Sequence, residues 1–255
     1  MSIVGKLFGD ILPEVASKAA SDIPRMFDKA PASNQRLIDL ALRNVENVTD
    51  EFKINPAKTQ RANTTPTYDK AFELLGIKEG DTVLDYGAGL GLGSRSAAEK
   101  GANVVTFEPF PQKDFKPDFT NPEDVPSNIA DKLVNMNVLN VLPKDMRDQA
   151  VTTMGRALKP MGEAIINTRS AAEVNAAKNK TASGDGWIVG AGKERTFQKG
   201  FTPKELQAYV KDILGSGFSV EPVKNLSGAS VKIKKLPEQI VDVNASSLPQ
   251  PFEGM

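Results

Sequence analysis

The feature that most constrains this chain is the run Thr82–Gly91, where a short apolar segment leads into closely spaced glycines. Val83 and Leu84 are typical of a strand buried in a parallel sheet. Glycines follow at every second position, at Gly87, Gly89 and Gly91. They permit a tight turn and let a ligand lie against the backbone. With a helix predicted over 94–100, the run is a common seat for a nucleotide-like ligand.

The spacing of these glycines excludes two phosphate-binding motifs. A dinucleotide fingerprint has the pattern Gly-x-Gly-x-x-Gly, but its last glycine is replaced by Leu92 if the pattern starts at Gly87 and by Ser94 if it starts at Gly89. The Gly-Lys-Ser/Thr of a P-loop is also missing. Asp85 instead precedes the first glycine by two residues. It would repel a pyrophosphate but can accept hydrogen bonds from a cationic amino group. The alternative is an ordinary turn without a ligand, in which each glycine would cost about 0.5–1 kcal/mol to no purpose.

This pattern resembles motif I of the class I S-adenosylmethionine-dependent methyltransferases. The resemblance implies a Rossmann-like α/β fold, with a seven-stranded, mostly parallel sheet and a C-terminal antiparallel hairpin. It also implies S-adenosyl-L-methionine as the cofactor. Asp85 would meet its amino-acid end, Glu108 at the end of the next predicted strand its ribose, and Asn137 its sulfonium. The residues expected to bind the cofactor are Asp85, Tyr86, Gly87, Ala88, Gly89, Gly91, Glu108, Pro109, Asn137 and Val138.

A long irregular stretch is predicted from Pro109 to about residue 128, because prolines and acids are frequent there. In the family an acid of this region often meets the adenine amine. Asp124 is the candidate for that contact, and Asp118 and Glu123 compete with it.

The segment 138–143 follows the predicted strand 131–137, at the edge of the sheet where the methyl group would lie. It lacks the Asp/Asn-Pro-Pro-Tyr/Phe of adenine-N6 and cytosine-N4 DNA methyltransferases. The run 137–141, with Arg147 just beyond it, is similar instead to methyltransferases encoded by phages and in DNA-phosphorothioation gene clusters, and the similarity covers roughly residues 60–235. The methyl acceptor stays open, with nucleic acid one candidate. Asn140 could face the acceptor or cap the following helix.

Residues 169–201 are an insertion rich in glycine, basic and aromatic residues, which suits either a substrate lid or a structural β-hairpin. The candidate acceptor-binding residues are Asn140, Arg169, Trp187, Arg195 and Phe197. A nucleic-acid acceptor predicts an exposed Trp187 on one face with the basic residues Lys178, Lys180, Lys193, Arg195 and Lys199. A small-molecule acceptor predicts that Trp187 and Phe197 close one cavity.

Two local patterns further along the chain predict element boundaries. Lys159–Gly162 resembles the Leu-Lys-Pro-Gly-Gly turn before strand five of the family, with Met161 in place of the first glycine. Thr202, Pro203 and Glu205 form a capping box with proline at the first helical position.

The chain contains no histidine and no cysteine. This composition excludes disulfides, zinc sites built on thiolate and imidazole, and Ser-His-Asp or Cys-His nucleophiles. Proximity or base chemistry by Asp, Glu, Lys or Tyr is left, and no general base is assigned. The 32 basic and 32 acidic residues balance, which weighs against avid non-specific nucleic-acid binding.

Three regions are predicted for the 255 residues. Residues 1–33 form an accessory helical segment that could bind a partner or self-associate through 1–30. Residues 34–235 form the cofactor-binding methyltransferase domain, and 236–255 an extended tail. No apolar run has the length of a membrane span and no secretory leader is visible, so the cytoplasm is expected, of the host if the chain is phage-encoded. A non-methylating, cofactor-binding structural or anti-restriction protein of a phage is the alternative function.

Overall fold

The computed structural model describes Thr59 and residues 66–112, 114–190 and 195–237. The predicted accessory segment 1–33, and with it the partner surface of residues 1–30, lies outside these residues. So does nearly all of the predicted C-terminal tail.

The described part of the chain alternates helices and strands. The helices are α1 Pro66–Leu75, α2 Leu92–Glu99, α3 Lys144–Ala157, α4 Ala171–Asn175 and α5 Pro203–Leu214. The strands are β1 Thr82–Tyr86, β2 Asn103–Phe107, β3 Ala130–Met136, β4 Leu158–Thr168, β5 Lys180–Ser183, β6 Gly186–Val189, β7 Thr196–Gln198, β8 Phe218–Pro222 and β9 Ala229–Lys235. Short 3₁₀ turns cover Leu139–Val141 and Gly215–Gly217.

The main sheet has the strand order β2-β1-β3-β4-β9-β8. The first four strands are parallel, while β9 runs antiparallel to both β4 and β8. The predicted Rossmann-like fold with its C-terminal antiparallel hairpin is therefore confirmed. The described sheet has six strands rather than the predicted seven. Beside β2 the described residues form a single parallel bridge, from Phe107 to Phe119. It lies in a stretch whose repeated prolines cannot donate ladder hydrogen bonds.

Both faces of the sheet are buried, because successive residues of its parallel strands point to opposite sides. Leu84, Leu133 and Ile166 pack with residues of α3 and α5. Their neighbours Val83, Val134 and Ile165 pack with residues of α1 and α2. The helices thus cover the two faces and leave the carboxyl edge of the strands for a site.

The predicted turn at Lys159–Gly162 is part of β4, at a register shift between Ala130 and Lys132 in the neighbouring strand. Met161 has a φ of 67° and is 52% exposed. This left-handed conformation is normally adopted by glycine, because a Cβ is strained there. Met161 thus has the backbone conformation of the glycine it replaces.

The insertion 169–201 forms α4 and a separate antiparallel sheet, β5-β6-β7. Trp187 pairs with Gln198, and Ile188 pairs with Phe197. Because neighbouring strand residues point to opposite faces, Trp187 and Gln198 share one face and Ile188 and Phe197 share the other. Phe197 is buried. The prediction that Trp187 and Phe197 close one cavity is therefore wrong.

Candidate functional site

The carboxyl ends of β1, β2, β3 and β4 meet at one edge of the main sheet. The chain passes from β1 outward to β2 and then returns to β3 on the other side of β1. This change of direction is the topological switch point, where ligands bind in open α/β sheets. The predicted cofactor residues follow β1, β2 and β3 at this edge, and Arg169 follows β4.

Asp85 lies near the tip of β1 and is 1% exposed. Its Oδ2 accepts a hydrogen bond from the Ser94 hydroxyl at 2.7 Å, and its Oδ1 accepts one from the Tyr68 hydroxyl at 3.4 Å. Burial raises the pKa of Asp85 to about 6; these hydroxyls oppose the rise, and the nearby charge of Glu108 adds to it. Asp85 and Glu108 are thus both buried next to the glycine turn.

Glu108 follows β2 and joins that strand to the glycine turn. Its Oε2 accepts a hydrogen bond from the Gly89 amide at 2.8 Å, and its Oε1 accepts one from the Phe110 amide at 3.0 Å. The residue is buried. These two bonds hold the Glu108 carboxylate against the glycine turn.

The glycines of the turn pack directly against side chains from other segments. A Cβ at Gly87 would lie 2.3 Å from Val138, and one at Gly91 would lie 2.4 Å from Phe115. Both glycines also have positive φ. Gly87 and Gly91 are therefore needed for backbone conformation, as the predicted tight turn requires, and also for packing against Val138 and Phe115, which the sequence interpretation did not foresee.

A fourth glycine, Gly93 at the start of α2, was not singled out from the sequence. A Cβ there would lie 2.1 Å from the Tyr68 ring. Tyr68 comes from α1, so this close contact brings its hydroxyl to Asp85. Burial raises the pKa of Tyr68 well above its usual value, and the charge of Asp85 adds to the rise.

Tyr86 directs its side chain into the core rather than toward the edge. Its ring is 3% exposed and stacks on Phe107 with 4.3 Å between centroids. Burial raises the pKa of Tyr86 to about 12, and a hydrogen bond with Thr153 of α3 opposes this rise. Only the backbone of Tyr86 lies at the turn, where its carbonyl accepts a hydrogen bond from Asn135.

The other predicted cofactor residues lie at the same edge. The Ala88 amide donates to the Phe107 carbonyl at 3.0 Å, which fixes the turn against β2. Pro109 is half-buried directly after Glu108. Asn137 is exposed at the tip of β3 with a φ of 60°, and its amide donates to the Asn167 carbonyl at 2.8 Å. Val138 is half-buried next to it.

Of the three competing acids after β2, Asp118 has a structural contact. Its Oδ2 accepts hydrogen bonds from both the amide and the hydroxyl of Thr106, each at 2.8 Å. This pair of bonds ties the irregular stretch to β2. Asp124 is exposed and accepts a bond from Asn121 at 3.0 Å, and Glu123 is exposed.

Asn140 is 1% exposed and contacts the insertion. Its backbone carbonyl accepts a hydrogen bond from the Lys199 backbone amide at 2.7 Å. Its side-chain Nδ2 lies 3.5 Å from Gln198 Oε1. The capping alternative is wrong, because the N-cap of α3 is Pro143 and no side chain caps it. Gln198 was not among the residues predicted from the sequence to bind the acceptor. The one signal for it was its position next to Phe197 in a short strand.

The basic residues of the insertion are partly engaged with other groups. Lys180 lies 4.5 Å above the Trp187 ring and donates to the Asn175 carbonyl. Lys199 pairs with Glu205 at 2.7 Å. Trp187 and Arg195 are half-buried, and Lys193 lies outside the described residues. Lys180 and Lys199 are therefore engaged with neighbouring groups, and the shared cationic face expected for a nucleic-acid acceptor stays a prediction.

Arg147 is buried in α3 at 1% exposure. Its guanidinium donates to the Leu142 carbonyl at 2.8 Å and to Asp185, in the turn between β5 and β6. The rings of Phe197, Phe201 and Tyr209 lie 5.5–6.0 Å from the guanidinium carbon. Arg147 therefore joins the insertion to the main domain.

The described residues contain no group of three or more His, Cys, Asp or Glu side chains that could hold a metal ion. No helix within them has the length and apolar character required to cross a membrane.

Comparisons with known proteins agree with this fold. The solved structure of a protein from Pyrococcus horikoshii OT3 has a TM-score of 0.53 at 14% identity, covering 74% of this chain and 99% of that one. The 1,6-didemethyltoxoflavin-N1-methyltransferase of Burkholderia thailandensis, solved with S-adenosylhomocysteine bound, has a TM-score of 0.48 at 16% identity over 88% of each chain. A methyltransferase of Methanosarcina mazei, described as SAM-dependent, has a TM-score of 0.49 at 18% identity, covering 69% of this chain and 100% of that one.

A search of curated proteins finds no match. Of these structures, the one from Pyrococcus horikoshii bears on the fold, and at its identity on the fold alone. The sequence pattern of a family described as a methyltransferase domain matches residues 56–213. Because this match spans more than half of the 255 residues, the chain belongs to the methyltransferase domain family.

Proposed function

We propose that this protein transfers a methyl group from S-adenosyl-L-methionine to a nitrogen or oxygen nucleophile. The observation that carries the proposal is the pair of buried carboxylates, Asp85 and Glu108, at the glycine turn. The two neighbours from Burkholderia and Methanosarcina are described with S-adenosylhomocysteine or as SAM-dependent.

The residues present fit this cofactor by their charge. The hydrogen bonds to Asp85 come from the neutral hydroxyls of Ser94 and Tyr68, and the charge acting on it is that of another acid. A buried carboxylate in such surroundings is stabilised by a cation. The ammonium of the cofactor's amino-acid end supplies one, and its sulfonium supplies a second positive charge.

The residues at the strand ends and the glycine turn have distinct roles in this proposal. Asp85 holds the amino group, Glu108 the ribose hydroxyls, and the turn amides lie against the ligand. Asn137 and Val138 lie beside the methyl group. When bound, the cofactor supplies an electrophilic methyl group, so the chain's own residues need mainly to align the acceptor and exclude water.

The acceptor would lie beside β3 and β4, near Asn140 and Arg169. The non-methylating alternative predicts that residues 137–140 and the insertion do not line a common site. The contacts of Lys199 and Gln198 with Asn140 support the enzyme instead. The narrower relation to phage and DNA-phosphorothioation methyltransferases rests on residues 137–141 with Arg147, and it stays a prediction. A cytoplasmic location is likewise a prediction.

Calorimetry with S-adenosylmethionine and S-adenosylhomocysteine tests the cofactor. Glu108→Ala is expected to weaken binding at least about tenfold, equivalent to ~1.4 kcal/mol, because the ribose hydroxyls lose their acceptor. Glu99→Gln, which alters an exposed acid at the far end of α2, is the control and should bind as the parent does. Equal binding by Glu108→Ala and the parent would remove Glu108 from the site.

A tritiated-methyl assay against DNA, RNA, protein and metabolite pools then tests transfer itself. Incorporation into one pool that disappears in Glu108→Ala supports the enzyme. Tight cofactor binding without incorporation into any pool supports the non-methylating alternative.

A further inference from the structure

Three polar side chains meet beside the ends of β3 and β4 and are not used by the cofactor assignment. We call Asn140, Arg169 and Gln198 the amide–arginine cluster. Asn140 Nδ2 and Arg169 Nη1 approach Gln198 Oε1 at 3.5 and 3.4 Å, and the Arg169 amide lies 3.5 Å from Asn140 Oδ1. These distances exceed the usual range of about 2.7–3.2 Å.

Gln198 has one shorter bond, which its Nε2 donates to the Thr196 hydroxyl at 3.2 Å. The long contacts within the cluster matter because both amides are buried, at 1% exposure for Asn140 and 7% for Gln198. A buried polar group with poor hydrogen bonds destabilises the fold unless a ligand completes its bonds. The cluster is therefore suited to a ligand with its own polar atoms.

The charge of the cluster is positive. Among the described residues, Arg169 forms no ion pair. The charge of Arg169 acts on one acid, Glu173. The pKa of Glu173 is lowered mainly by hydrogen bonds from Ser170, and the charge of Arg169 is the smallest contribution. Glu173 is held by Ser170 in the cap of α4. A half-buried guanidinium in this setting favours an anionic oxygen, which it binds through charge-assisted hydrogen bonds.

An aromatic surface adjoins the cluster. Trp187 lies directly opposite Gln198 in the β6–β7 pair, on the same face of that sheet. Lys180 over the indole ring adds a second positive charge to this face. A flat ring bearing an anionic group could thus contact the part of the Trp187 ring that Lys180 leaves open, while its polar edge meets the cluster.

We propose, on the basis of the methyltransferase function above, that the methyl acceptor is a small planar aromatic acid. Its anionic oxygen pairs with Arg169, its ring contacts Trp187, and its polar edge bonds to the amides of Asn140 and Gln198. A nucleic acid fits less well, because Lys199 is paired with Glu205 and the net charge of the chain is zero.

Tryptophan fluorescence tests this proposal, since Trp187 is the chain's only tryptophan. The probes are two matched pairs, nicotinate with nicotinamide and quinoline-2-carboxylate with its amide, measured in saturating S-adenosylhomocysteine. Each acid is expected to bind at least about fivefold more tightly than its amide, as a charge-assisted bond implies. Arg169→Gln should lose this preference and Arg169→Lys should retain most of it.

The control is Lys178→Gln, which changes an exposed lysine before β5 and should keep the parent's preference. Equal binding of acids and amides, a preference that survives in Arg169→Gln, or no quenching by any probe would overturn the proposal. Tighter binding of decathymidylate than of either acid would overturn it in favour of a nucleic-acid acceptor. Calorimetry with S-adenosylhomocysteine on the same samples separates the acceptor proposal from the methyltransferase proposal. If S-adenosylhomocysteine binds but the acids are not preferred over their amides, only the acceptor proposal falls.

Discussion

Met161 occupies a left-handed backbone conformation, with a φ of 67°, in an exposed part of β4. For a residue with a Cβ this conformation costs about 1–2 kcal/mol, whereas glycine adopts it freely but loses about 0.5–1 kcal/mol in chain entropy. Met161→Gly is therefore expected to raise the free energy of unfolding by about 0.5–1 kcal/mol. Urea unfolding of the two proteins measures the difference.

The matched control for this residue is Met161→Ala, which removes the same exposed side chain but keeps the Cβ. It should give no gain in stability. A gain equal to that of glycine would assign the effect to the methionine side chain and not to the backbone. The sequence identified this position because a glycine is expected in the related turn, although the register shift that places it in β4 depends on the neighbouring strand.

At the scale of elements, one ion pair holds the β5-β6-β7 sheet against α3. Arg147 is 1% exposed and its partner Asp185 is 41% exposed. Asp185→Asn leaves the buried guanidinium with only a neutral partner there, and should destabilise the protein by about 1–3 kcal/mol. Arg147→Met removes the buried charge, so in that background Asp185→Asn should change stability by less than about 0.5 kcal/mol.

A double-mutant cycle by urea unfolding measures this coupling. If Asp185→Asn has the same effect in both backgrounds, the ion pair does not hold the insertion. Fluorescence of Trp187 offers an independent readout, because loosening of the sheet should change the environment of its indole.

Local chemistry explains which elements could be predicted from the sequence. The start of α5 was predicted because Thr202, Pro203 and Glu205 form their cap from neighbouring residues, and both capping-box bonds are present. The insertion is different. Its register decides that Trp187 and Phe197 lie on opposite faces, and that register is supported by Arg147, which is remote in sequence. No local pattern contains this information.

At the scale of the whole molecule, the meeting of Asp85 and Glu108 could be predicted because parallel strands bring their carboxyl ends to one edge. The partners that set the properties of Asp85 could not. Tyr68 reaches it from α1 only because Gly93 lets the ring lie close to α2. The burial of the carboxylate is likewise a property of the assembled fold.

Burial of the Asp85 carboxylate makes the stability of the protein depend on pH. The pKa of Asp85 is about 6 in the folded protein and about 3.8 in an unfolded chain. Between these values the folded state binds more protons, so stability falls as pH rises and is lower by about 3 kcal/mol above pH 6. Asp85→Asn, which has no charge to bury, should therefore raise the free energy of unfolding at pH 8 by about 1–3 kcal/mol and give much less gain at pH 4.

The same variant should lose the increase in melting temperature that S-adenosylhomocysteine gives the parent, since the amino group of the ligand loses its anionic partner. Urea unfolding at pH 4 and pH 8, together with thermal unfolding with and without the ligand, measures both effects. A variant less stable than the parent at pH 8 would mean that the Asp85 carboxylate is stabilised within the fold itself. The uncompensated charge would then no longer explain why a cationic ligand binds at this turn.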